Sequence, residues 1–356
     1  MERAGIERLV FRADSSVAIG TGHVMRCLAL AQAWSDAGGK ACFLTANENG
    51  ALETRLRSEG CEVVRPAAVP GSADDAQWTA DWAKKNGAPW AVIDGYHFGV
   101  EYQRALRDSG LRLLCIDDNG HAERYCADIV LNQNLYADEA LYENREPQTR
   151  LLLGCRYLLL RREFFKWRDW MRKIPEMARK LLVTFGGADA GNATLKAIES
   201  LRRLERRDLE IKIVVGPAYA HVDALRRETE RATGRVELLT AVRDVPALMA
   251  WADVAISAGG STCWEIAFMG LPACIVVLAD NQSPVADVLE KRGAAINLGW
   301  HGTDVPDKLA GAMEQLLGAS DRRRAMSRVG RLMVDGDGSK RVVNSIQERF
   351  RASLGA

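Results

Sequence analysis

The chain of 356 residues predicts an α/β protein of two similar halves, each a parallel sheet covered by helices, facing one another across a cleft. Three observations predict it. Short apolar runs alternate with amphipathic helical ones from residue 9 to residue 131. The alternation restarts at residue 181, after a charged and aromatic stretch. A chain of this length also exceeds one ordinary hydrophobic core.

In the first half the apolar runs predict strands at 9–12, 41–45, 62–65, 90–94, 111–116 and 129–131, with helices at 50–58, 74–85 and 101–108 between them. Val24, Leu28 and Ala31 fall at helical spacing after the first strand. The first domain is expected over 1–157. Residues 158–179, rich in Arg, Phe and Trp and ending near Pro175, read as a mostly helical connection. A second domain follows over 180–335, with strands at 181–185, 211–215, 236–239, 254–257 and 273–277. The tail, 336–356, is helical over 339–354 and could pack back across the first domain.

Composition narrows the function classes. With 47% hydrophobic and 27% charged residues the chain reads as soluble and globular. A net charge of +1 makes no case for nucleic acid or an anionic membrane as a partner. The clusters Arg202–Arg203, Arg206–Arg207 and Arg322–Arg324 sit among acids on helices and read as solvated faces. Eight cysteines are scattered without a CxxC spacing, several within apolar runs, which suits buried thiols in a reducing compartment. The opening MERAGIERLVFR lacks a signal-peptide core, and no run approaches a membrane span. A cytoplasmic protein, monomeric or a weak homodimer, is expected.

The chemistry concentrates in RADSSVAIGTGHVMRCLALA, residues 12–31. A buried strand enters a turn carrying Asp14, Ser15, Ser16, Gly20, Thr21 and Gly22, and His23 stands where the helix begins. Glycines allow close backbone approach to a ligand, and free N–H groups at a helix start favour anions. An imidazole there can act on whatever the anion is attached to, so His23 reads as a base beside a nucleotide diphosphate. Met25 holds the place of the third glycine of the dinucleotide fingerprint, and no glycine loop ends in GKS or GKT. Neither NAD nor a P-loop nucleotide site is expected. The strand ends at Asp94-Gly95-Tyr96 and Asp117-Asp118-Asn119 are two further places where ligands would gather.

A second anion cradle lies at Gly259, Gly260, Ser261 and Thr262, between a buried strand and a helix. Glu265, one turn inside, could accept from ribose hydroxyls or serve as the capping-box partner of Thr262. Asn281 and Gln282 follow the strand at 273–277, where amides can bind sugar hydroxyls or orient an imidazole. No His, Cys and Asp cluster has metal spacing, since His97, His121, His221 and His301 lie far apart along the chain. Neither a metal nor a cofactor is expected.

Together these motifs resemble the pseudaminic acid biosynthesis hydrolases, which act on UDP-2,4-diacetamido-2,4,6-trideoxy-β-L-altropyranose and are related to GT-B glycosyltransferases of the MurG type. The resemblance extends through Asp94-x-Tyr96, Asp117-Asp118, Leu131-Asn-x-Asn134-x-Tyr136, Leu160-Arg161-x-Glu163-Phe164 and Phe185-Gly-Gly-x-Asp189. It implies a GT-B-like pair of Rossmann-like domains and a UDP-sugar substrate. His23 would be the general base that activates water, with Tyr96 and Asn281 near the reacting sugar. Gly260, Ser261 and Thr262 would hold the diphosphate and Glu265 the ribose, while Asp14, Gly20, Gly22, Arg26, Gly259 and Gln282 complete the substrate-binding set.

The implied reaction is attack of water at the anomeric carbon, displacing UDP with inversion and without metal. Diphosphate leaves readily, so no second carboxylate need protonate it, unlike the paired acids of ordinary glycosidases. Its developing charge must meet preorganised donors, and losing one typically costs roughly 3–4 kcal/mol of barrier. Asp14 is a candidate to orient the His23 ring. The rival readings are an inverting UDP-sugar glycosyltransferase of the same fold and a non-catalytic nucleotide-sugar binding protein.

Overall fold

The computed structural model describes residues 8–354 except 17–18, 47–49, 187–188, 190, 217–218, 232–233, 241 and 303–304. The chain divides into two compact units, Met1–Arg162 with Gly336–Ala356, and Glu163–Asp335.

The first unit runs β1 (Arg8–Ala13), α1 (Gly22–Asp36), β2 (Lys40–Leu44), α2 (Gly50–Ser58), β3 (Glu62–Val64), α3 (Ala73–Lys85), β4 (Trp90–Asp94), α4 (Val100–Asp108), β5 (Arg112–Ile116), β6 (Ile129–Asn132) and β7 (Arg150–Leu153). Its seven strands lie in the order β3-β2-β1-β4-β5-β6-β7, and each neighbouring pair is parallel. Both sheet faces are covered, which is why the strands read as continuous apolar runs. Leu9 and Phe11 face one core with Leu28 and Trp34 of α1, while Val10 faces another with Ala76 and Ala80 of α3 and Leu106 of α4. The order reverses between β1 and β4, so the crevice for a ligand opens at their carboxyl ends.

The second unit runs β8 (Lys180–Thr184), α5 (Ala193–Arg202), β9 (Glu210–Val215), α6 (Val222–Glu230), β10 (Arg235–Thr240), α7 (Val245–Trp251), β11 (Val254–Ala258), α8 (Thr262–Phe268), β12 (Ala273–Val277), α9 (Ser283–Arg292), β13 (Ala295–Trp300), α10 (Val305–Gly318) and α11 (Ser320–Met333). Its six strands are ordered β10-β9-β8-β11-β12-β13, again all parallel, with the reversal between β8 and β11.

Two strands escaped the sequence reading. β7 follows β6 through a loop with only a 3-10 turn at Glu139–Tyr142, so no helical pattern announces it. β13 carries Asn297 and Gly299, which interrupt its apolar run. The connection at 158–179 is also corrected. Only Arg162–Trp167 forms a 3-10 turn, and the residues from Glu163 onward belong to the second unit. Arginines hold this segment extended over its neighbours. Arg172 donates to the carbonyls of Met249 and Met269, at 2.6 and 3.3 Å, and to that of Ala252. The buried Arg323 donates to those of Pro175 and Glu176, at 2.5 and 3.1 Å. Side-chain bonds to carbonyls do here what a helix would do internally.

The last helix, α12 (Gly338–Leu354), lies in the first unit, where Val342, Val343 and Ile346 join the core formed by α1. Gly338 begins it, and a Cβ there would run into the backbone of Tyr157 and Leu158. Gly338→Ala is therefore expected to cost about 1–3 kcal/mol, read as a lowered urea midpoint. Gly311→Ala, in α10 with nothing within 4 Å of the added carbon, should hold or raise the midpoint.

Candidate active site

The turn after β1 brings the chain to His23 by one conformational necessity. Gly20 has φ +71°, a backbone that side chains disfavour, and its N–H returns to the Ser16 carbonyl at 2.9 Å. Thr21 is then the N-cap of α1, without a side-chain cap bond, and Gly22 and His23 form its first turn. β4 pairs with β1 so that Asp94 lies beside Ala13. That register delivers a carboxylate to the mouth of α1.

Asp94 is the hub. His23 Nδ1 lies 2.6 Å from its Oδ1, Arg26 Nε donates to Oδ2 at 2.6 Å, and Arg26 Nη2 donates to Oδ1 at 2.7 Å. Burial alone would raise the Asp94 carboxyl, but Arg26 and then His23 more than offset this and hold it well below the usual carboxylate range. An ionised Asp94 fixes the tautomer: Nδ1 carries the proton and donates, so Nε2 keeps a lone pair. The Arg26 Nη2 lies 3.3 Å from the same Nδ1. Arg26 also donates from Nη1 to Asp118 Oδ2 at 2.6 Å. Two carboxylates and one guanidinium leave one negative charge, which an imidazolium formed at His23 would neutralise.

The loops after β5 and β6 complete the frame. Asn134 Nδ2 donates to Asp118 Oδ1 at 2.7 Å, and Asn132 Nδ2 to the Asp118 carbonyl at 3.0 Å. The Asn-x-Asn spacing thus holds the second carboxylate of Arg26. Tyr96, 40% exposed, meets the His23 ring edge-on with centroids 5.3 Å apart.

Several expected roles change. Asp14 does not orient His23. It accepts from Arg12 Nη1 at 2.5 Å and the Ala46 N–H at 2.7 Å, and His97 Nε2 is 3.1 Å away. Arg12, fully buried inside the sheet, is paired in turn with Asp75 of α3, at 2.9 Å. Asp14 thus ties β1 to the β2 loop. Arg26, expected to touch substrate, is buried and committed to Asp94 and Asp118. The anchoring roles of Asp94 and Asp118 were missed. A carboxylate directly after a strand run was visible in both cases, but not which neighbour it would meet.

In the second unit the turn Gly259-Gly260-Ser261 lies between β11 and α8, at the strand-order reversal. Ser261 is the N-cap, exposed and without a side-chain cap bond, and Thr262 is the first helical residue. Glu265 therefore lies a position too far along for a capping box with Thr262. Gly260 is open, with nothing within 4 Å of an added Cβ, whereas at Gly259 that carbon would come 2.9 Å from Gln282. The Gln282 Oε1 accepts from the N–H groups of Gly259 and Leu278, at 3.2 and 3.0 Å. Its oxygen clamps the loop after β12 to the glycine turn. Asn281 is exposed, in the 3-10 turn Asp280–Gln282. His23, Arg26 and Tyr96 are thus brought together in one unit, and Gly259 and Gln282 in the other.

Among the described residues no group of three His, Cys, Asp or Glu is placed to hold a metal ion, and no helix is long and apolar enough to cross a membrane.

Residues 180–342 match the family model for the glycosyltransferase family 28 C-terminal domain. The Bacillus subtilis spore coat polysaccharide biosynthesis protein SpsG is 26% identical over 346 residues, 96% of this chain and 98% of the relative. The Campylobacter jejuni UDP-2,4-diacetamido-2,4,6-trideoxy-beta-L-altropyranose hydrolase is 24% identical over 288 residues, 80% and 97% of the two chains. Among solved structures, Acinetobacter baumannii MurG superposes with a TM-score of 0.63 over 96% of this chain and 99% of its own, at 18% identity. The fold is α/β of GT-B type, with two Rossmann-like units.

Burial alone would raise the Asp14 carboxyl, but the His97 hydrogen bond and the Arg12 charge bring it down to about 2 from 3.8. Its contribution is present above pH 3.8 and is lost as pH falls toward 2. Asp14→Asn should therefore cost about 2 kcal/mol near pH 6, with the two stability curves drawing together from pH 3.8 downward and meeting only at about pH 2 and below in urea titrations.

Proposed function

We propose that the protein acts on a UDP-sugar and hydrolyses the anomeric C–O bond of a UDP-linked 2,4-diacetamido-2,4,6-trideoxy hexose of the L-altrose type. UDP and the free sugar are released with inversion, for pseudaminic (nonulosonic) acid biosynthesis. The observation that carries this reading is the His23–Asp94 pair, with Nδ1 on an ionised carboxylate at 2.6 Å and Nε2 left to take a proton. Nε2 accepts the proton of water as oxygen bonds to the anomeric carbon, and the electron pair of the breaking C–O bond leaves with the diphosphate. Asp94 stabilises the imidazolium so formed, as the carboxylate of a hydrolytic triad does.

Tyr96 and Asn281 are assigned to the reacting sugar. Gly259, Gly260, Ser261 and Thr262 are the proposed diphosphate donors, and Glu265 the ribose acceptor. Gly20 and Gly22 shape the turn before His23. The likeness to the Campylobacter hydrolase over most of both chains supports the choice of sugar. The match of residues 180–342 to a glycosyltransferase domain supports a second reading, in which a sugar hydroxyl replaces water as the group deprotonated by His23.

Incubation with UDP-2,4-diacetamido-2,4,6-trideoxy-β-L-altropyranose and no acceptor, followed by NMR of the anomeric proton, separates the two. Free sugar of inverted configuration is the expected product. UDP released only when an acceptor is added would establish the transferase. His23→Ala should keep UDP affinity and lose about 10²–10⁴-fold in kcat, and unchanged turnover would remove His23 from the chemistry.

A further inference from the structure

The charge behind His23 is set one residue further out than the carboxylate it touches. His23, Arg26 and Cys27 stand at i, i+3 and i+4, so one face of α1 looks onto Asp94. Between them they fill its acceptor positions. His23 and Arg26 take Oδ1, and Oδ2 receives Arg26 Nε together with the buried Cys27 thiol, whose Sγ lies 3.6 Å away. Burial and then the Asp94 charge push that thiol well above its ordinary range, so it stays a neutral donor.

Asp94 and Arg26 by themselves form a bidentate pair with no net charge. One nitrogen of that cation, Nη2, stands 3.3 Å from His23 Nδ1. An imidazolium at His23 would meet a like charge at nearly the range of its partner, and the ring would hold a proton poorly. Asp118 changes this balance. It is joined to Arg26 Nη1 at 2.6 Å, with its side chain 12% exposed. Asn134 donates to its other oxygen at 2.7 Å, and Asn132 to its carbonyl at 3.0 Å. Two carboxylates then share one guanidinium, and the cluster keeps one negative charge.

The other ionisable groups of this corner are neutral or engaged with their own partners. Tyr96, from the loop after β4, meets the His23 ring edge-on. Asp117 accepts from the Tyr125 hydroxyl and from the N–H groups of Asn119 and Gly120, and it is paired with His121. Burial and then Asp118 push the Tyr136 hydroxyl up, so it carries no charge. On the β1 side Asp14 is paired with Arg12 and His97.

We infer that Asp118 is a positioning residue acting on His23 through Arg26: by sharing the guanidinium it leaves Asp94 able to hold an imidazolium. This rests on the reading of His23 as the base, and it assigns Asp118 no contact with substrate.

The test varies the charge of the cluster in the full chain, with Asp118→Asn, Arg26→Gln and the two combined. Two readouts are followed against pH: kcat for UDP release from the UDP-sugar, and the 1H–15N signals of the His23 ring. Asp118→Asn removes the surplus negative charge. The acid limb of kcat and the ring transition should both move about one pH unit lower, with KM within about twofold. Arg26→Gln adds a negative charge and should move both about one pH unit higher. The double variant has the wild-type charge and should bring both back to within about half a pH unit of the wild-type chain. A residue that only braces the loop would lower the rate and leave the limb in place. An unmoved limb in Asp118→Asn, or displacement in the same direction in both single variants, overturns the inference. Should Asp118→Asn lack a cooperative urea transition, the other two variants decide, and a double variant that titrates like Arg26→Gln overturns it. If the wild-type chain releases no UDP from any UDP-sugar, the functional reading fails and the ring signals decide alone. Opposite displacements in the two single variants then support the role of Asp118, and unmoved signals overturn it.

Discussion

A single buried carboxylate, Asp94, organises the first unit's site. It ends the strand next to β1, where the order of the sheet reverses, and it is shared by an imidazole and a guanidinium from the first turns of one helix. A buried carboxylate is tolerated only when its acceptor sites are filled by charged or strong donors. His23 and Arg26 fill them. Their spacing of three residues puts both on one face of α1, above the strand end. Displacing any one of the three leaves the other two in poor company, so the site is a cooperative unit.

The same principle recurs outward. Arg26 needs a second anion and takes Asp118, and Asp118 is held by the paired asparagines after β6. Asp117 next to it binds its own loop and seats His121. On the other side of the glycine turn Asp14 is held by Arg12 and His97. Among the described residues, the carboxyl ends of β1, β4, β5 and β6 are therefore each tied by an ionic or hydrogen-bonded anchor. Loops connected this way give the His23 imidazole a fixed direction, which is a large part of what a scaffold supplies.

The second unit uses backbone where the first uses charge. Its glycine turn is shaped by the Gln282 amide oxygen and by a close approach at Gly259, with Gly260 left open. The segment entering this unit is fixed by arginines on carbonyls, a device with no periodic signature, which is why the helical expectation for 158–179 failed.

What the sequence determined by itself was whatever short-range pattern encodes. Buried parallel strands are apolar throughout and helices repeat every few residues, so most of both sheets, the glycine turns and the place of His23 at a helix start were legible. The partners of the polar residues were not. Asp14 lies close to His23 in sequence yet binds Arg12 and His97, while Asp94, seventy-one residues away, takes the ring. Strand order alone makes β4 the neighbour of β1, and strand order is a long-range property that no local spacing carries. Tertiary structure therefore decided which carboxylate holds the imidazole, that Arg26 and Gln282 serve the scaffold, and that His121, ninety-eight residues along the chain from His23, stands one ring away from it.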